Sequence, residues 1–80
     1  MQLPLLKGHF EARDARELLT QLIQVKIRFH ENKIDADSPE EQIKMREARI
    51  KELQNELLAA QQFIDSKSGM ISLQGEVEIL

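Results

Sequence analysis

The sequence predicts a mostly helical α+β protein: a long antiparallel helical hairpin with a short strand at each end, in the order β-α-α-β. Three observations carry this expectation. Residues 12–34 and 39–67 repeat their apolar side chains at three- and four-residue spacing. Between them stands Ser38-Pro39-Glu40-Glu41, a helix-start signal that leaves room for only a tight turn. The C-terminal stretch alternates instead with a period of two, and the N-terminal one is a short apolar run. The elements are expected at 2–10 (strand), 11–34 (helix), 35–38 (turn), 39–67 (helix) and 70–80 (strand), within a single domain of residues 1–80.

The first strand, QLPLLKGHF, is short and interrupted by Pro4 and Gly8. Alternation places Leu3, Leu5, Lys7 and His9 on one face, with Leu6 and Phe10 on the other. Pro4 has no N–H to give to a ladder, which suits an edge or a first strand position.

The first helix has two apolar stripes. Ala15, Leu18, Leu22, Val25 and Phe29 form one; Ala12, Leu19, Ile23, Ile27, His30 and Ile34 form the other. Together they sweep about 200°, roughly twice the arc of an ordinary surface helix. Glu11 is a poor N-cap, so the helix start is soft.

Ser38 reads as the N-cap of the second helix, Pro39 as its first residue and Glu41 as the far member of a capping box. So short a turn forces the two helices antiparallel. The second helix carries a narrower seam: Ile43, Ile50, Leu57 and Ile64 every seven residues, with Leu53 and Ala60 between, as in a coiled coil. Arg46 occupies a seam position where an apolar residue is expected. Gly69 is placed to take a left-handed conformation after the helix. In MISLQGEVEIL, Ile71, Leu73, Gly75, Val77 and Ile79 then share one face of the last strand.

The hairpin brings both strands to one end, running in opposite senses. Two strands alone are marginal in water, and so is a helical hairpin with one over-wide helix. A twofold homodimer, with a four-helix bundle and a small antiparallel sheet, repairs both faults. The oligomer interface is expected at Leu19, Ile23, Ile27 and Ile34, where burying four or five large side chains contributes roughly 1.5–3 kcal/mol each.

Composition narrows the function. Eighty residues without a cysteine exclude disulfide staples and thiolate metal sites, leaving oligomerisation as the remaining common support for so small a core. The net charge is -3, so no overall positive field draws nucleic acid or an anionic membrane. No apolar run approaches the ~20 residues of a membrane span, and a cytoplasmic protein is expected. Of two histidines, neither belongs to an H-E-x-x-H pair, and the three glycines are isolated. No catalytic, metal or cofactor-binding residue is therefore expected, and no enzyme. Asp35, Asp37, Glu40 and Glu41 lack the spacing of a calcium loop and are read as turn and cap residues.

One constellation stands out. Lys26, His30 and Lys33 line the first helix beside Phe29, and Arg46 faces them from the second helix. This is a candidate site for an anion or a partner. The function expected is a non-enzymatic structural or protein-interaction module that self-associates through the first helix and presents a surface to an unidentified protein. The alternative is a nucleic-acid-associated regulator using the basic residues near the turn.

Overall fold

The computed structural model describes residues 1–80 and shows the order β1 (Gln2–Glu11), α1 (Ala12–Asn32), α2 (Glu40–Asp65), β2 (Met70–Glu78). The strands pair with each other, antiparallel, within one chain. Beyond β2 the pairing continues for one residue: the Ile79 N–H donates to the Met1 carbonyl (2.7 Å), and the Met1 amino group donates to the Ile79 carbonyl (2.9 Å).

Register sets the faces of the sheet. Leu6 lies opposite Gly75, Gly8 opposite Leu73 and Phe10 opposite Ile71, and these six positions form the half-buried row. The Leu6 Cβ and Cδ1 lie 3.7 and 3.8 Å from where a side chain at Gly75 would begin, so Leu6 covers that gap. Leu3 pairs with Val77, three residues from Leu6 against two on β2. Simple alternation put Leu3 with Lys7 and His9; the bulge at Pro4 and Leu5 instead shifts it into the apolar row. Pro4 cannot donate to the ladder, and the extra residue accommodates it. The opposite face is polar, with Ser72 Oγ 2.7 Å from His9 Nδ1.

The turn between the helices is longer than expected, spanning 33–39 rather than 35–38. Ser38 does not cap α2, and Glu41 completes no capping box. The Ser38 hydroxyl is drawn back into the turn, accepting the Asp35 N–H (3.1 Å), while Asp35 Oδ1 accepts the Asp37 N–H (2.9 Å). Such local bonds compete directly with capping. Pro39 is extended (φ -59, ψ 143) and sits just outside the helix, its carbonyl accepting from Ile43. Gly69 does take the left-handed conformation, φ 82, one residue before β2.

The α1-facing side of α2 is the predicted seam. Leu53 and Ile64 are buried, and Ile43, Ile50, Leu57 and Ala60 are half-buried. Covered core is nevertheless scarce: only Ala15, Leu53 and Ile64 are buried among 80 residues. The molecule measures 48 × 32 × 13 Å, and its radius of gyration is 15.3 Å against about 12 Å for a compact domain of this length. It is a single layer little thicker than one helix.

Candidate functional site

Three contacts fasten α1 to α2. Arg16 pairs with Asp65. Gln61 Nε2 donates to Thr20 Oγ1 (3.0 Å), and that hydroxyl donates in turn to the Arg16 carbonyl (2.7 Å). Toward the turn, Arg46 Nη1 lies 2.9 Å from His30 Nδ1. A guanidinium has only donors, so Nδ1 accepts and the ring proton resides on Nε2.

These contacts show which side of α1 meets α2. Ile23 and Ile27 fall on the helical line of Arg16, Thr20 and His30 and are half-buried, as are Leu19 and, in the turn beyond α1, Ile34. The line expected to meet a second copy thus runs along the α2 side of the hairpin. The other stripe is buried at Ala15 and opens toward the turn: Leu18 and Leu22 are half-buried, and Val25 is 55% and Phe29 53% exposed.

Of the predicted cluster of Lys26, His30, Lys33 and Arg46, the last three gather at the Phe29 ring, and Lys26 acts on His30 only through its charge. The Phe29 and His30 rings meet edge to face at 5.5 Å. Lys33 Nζ stands 5.4 Å from the Phe29 centroid and Arg46 Cζ 5.8 Å, both within cation–π range. No carboxylate lies within 4 Å of Lys26, Lys33 or Arg46. Nearby Arg49 differs, with Glu52 at 2.9 Å and Glu56 at 3.7 Å. A groove of about 710 Å³ opens beside His30 and Arg46. Its other walls are Gln42, Met45, Ala48, Arg49 and Glu52, and it lies open to solvent, without the enclosure of a small-molecule site.

The His30 pKa is held below its ordinary 6.5, first by partial burial and then by the charges of Arg46, Arg49 and Lys26. The neutral ring is the form that accepts from Arg46, so protonation sets donor against donor. With the folded pKa lowered, the unfolded chain takes up the proton first as pH falls. The His30 contribution to stability is therefore complete above about pH 6.5 and is lost as pH drops through the window below it. Thermal melts between about pH 5 and 7 should show the midpoint rising with pH, and His30→Asn should reduce that slope. An unchanged slope would assign the titration elsewhere.

The sequence did not single out the Arg16–Asp65 and Thr20–Gln61 contacts, because their partners lie 49 and 41 residues apart. It also missed a depression where β1 runs into α1, lined by Phe10, Asp14, Glu17, Leu18 and Gln21. Apolar spacing could have found Phe10 and Leu18; their adjacency depends on the angle at which strand enters helix. The site defines a class in structural terms only, a helical hairpin closed at its base by its own terminal strands. No protein-family model, curated protein or solved structure matches the chain.

Proposed function

We propose that this chain is a non-enzymatic structural and protein-interaction module that self-associates through α1. The observation that carries this reading is surface area. The chain exposes 6473 Å², whereas a folded monomer of 9.3 kDa exposes about 5,000 Å². The excess, roughly 1,500 Å², falls within what each member of an obligate dimer buries. It accompanies a single-layer shape with three buried residues, and domains are otherwise built from at least two packed layers.

The face favoured for the contact is the open stripe of Leu18, Leu22, Val25 and Phe29. In a twofold pairing of α1 helices this stripe becomes the centre of a four-helix bundle, and the seam of α2 becomes a coiled-coil contact on its flank. The two-stranded sheet keeps a free outer edge on each strand, the kind of edge that recruits a further chain by strand addition. No helix is long and apolar enough to cross a membrane. A cytoplasmic location is part of the same proposal. A nucleic-acid role for Lys26, Lys33 and Arg46 has thinner support, because Asp35 and Asp37 in the turn and Glu40 and Glu41 at the start of α2 lie between Lys33 and Arg46 in the chain.

Sedimentation equilibrium tests the proposal. The wild-type chain should run as a dimer at about 10–50 µM, within the affinity range of specific association. Val25→Glu, which sets a charge in the middle of the stripe, should run as a monomer. A monomeric wild type in that range overturns the reading.

A further inference from the structure

The open face of α1 carries a matched pair of features. At one end Phe29 stands out, flanked by the Lys33 and Arg46 cations. At the other end lies the depression of about 400 Å³ floored by Phe10 and Leu18 and rimmed by Asp14 and Glu17. Neither rim is neutralised within the chain: Lys33 and Arg46 have no carboxylate within 4 Å, and Asp14 and Glu17 have no cation. Gln21 offers Glu17 only a long 3.5 Å hydrogen bond. A projecting aromatic with a basic rim and an apolar hollow with an acidic rim thus share one helix.

We infer that Phe29 of one copy seats in the Phe10, Asp14, Glu17 and Leu18 depression of a second, antiparallel copy. This rests on the self-association proposed above and adds its polarity, its register and its recognition chemistry. The geometry closes under twofold symmetry. In an isologous contact, if residue i meets residue j then j meets i, so both features must lie on one face of each chain. Phe29 and Leu18 are eleven residues apart, about 17 Å along the helix. The twofold axis then crosses α1 between Ile23 and Gln24, and Leu22 meets the partner's Val25. One pairing therefore covers Leu18, Leu22, Val25 and Phe29 in both chains.

Charge decides the polarity. The antiparallel arrangement brings Lys33 and Arg46 toward the partner's Asp14 and Glu17, twice per dimer. A parallel arrangement sets the basic end against the basic end and the acidic end against the acidic end, which opposes association. A buried aromatic ringed by charge that excludes water is also the usual form of an interface hot spot.

Charge reversal with mixing is the test. Asp14→Lys with Glu17→Lys makes both rims basic; Lys33→Glu with Arg46→Glu makes both acidic. Each variant alone should dimerise at least about tenfold more weakly than wild type, since its homodimer opposes like charges. An equimolar mixture should recover wild-type dimerisation, because both contacts of the mixed dimer are again complementary. Recovery also shows that each variant is folded. A dimeric wild type whose variants stay dimeric alone, or fail to recover on mixing, overturns this pairing and leaves self-association standing. A monomeric wild type overturns both.

Discussion

Leu53→Ala is expected to cost about 2–5 kcal/mol of folding stability, the range for emptying a filled core site. Leu53 is the one large side chain with no exposed surface, at 0%, and it sits midway along the α2 seam. An 80-residue domain has only about 4–12 kcal/mol in total. Removing three side-chain carbons there should lower the thermal midpoint by at least about 10 °C. The same chemistry at Leu58, five residues on and 55% exposed, should shift stability by no more than about 0.5 kcal/mol. Circular dichroism melts of the two variants, matched in concentration, provide the comparison. Equal losses at both positions would mean that the seam is not where the covered core lies.

The wild-type melting midpoint is expected to rise with protein concentration, by about 4 °C for each tenfold increase. A tenfold change in a dissociation constant corresponds to 1.4 kcal/mol. The unfolding entropy of two 80-residue chains is about 0.34 kcal/mol/K, from ~2.1 cal/mol/K per residue. The ratio gives the slope. In the proposed dimer the single-layer hairpin gains its second layer from a partner, which links folding and association by mass action. Val25→Glu should flatten the slope and lower the midpoint together. A concentration-independent wild-type midpoint would show that the hairpin is stable on its own.

Much of this fold is legible in the residues. The two helices and the last strand follow from hydrophobic period, because side-chain direction repeats every 3.6 residues on a helix and every two on a strand, while the first strand follows from a short apolar run. Gly69 was predictable for a similar reason: a chain leaving a helix for a strand turns most easily through a left-handed residue. The basic cluster was legible in part. Lys26, His30 and Lys33 recur on one side of α1, and a charged residue at an apolar seam position, Arg46, pointed across to them.

What was not legible shares one cause: it depends on which of several satisfiable local options the neighbours leave available. Ser38 can cap a helix or close a turn, and the Asp35 N–H settles that competition. Pro4 permits a strand, and the bulge that accommodates it is set by the pairing with β2. The wide helix shows the same division most clearly. Its spacing determined by itself that α1 has two apolar stripes and that one partner helix cannot cover both. Only the tertiary structure decided which stripe α2 takes, because Arg16, Thr20 and His30 find their partners Asp65, Gln61 and Arg46 across the gap. Hydrophobic burial has no direction and would accept either stripe. The hydrogen bonds beside it do have one, and they turn Val25 and Phe29 outward.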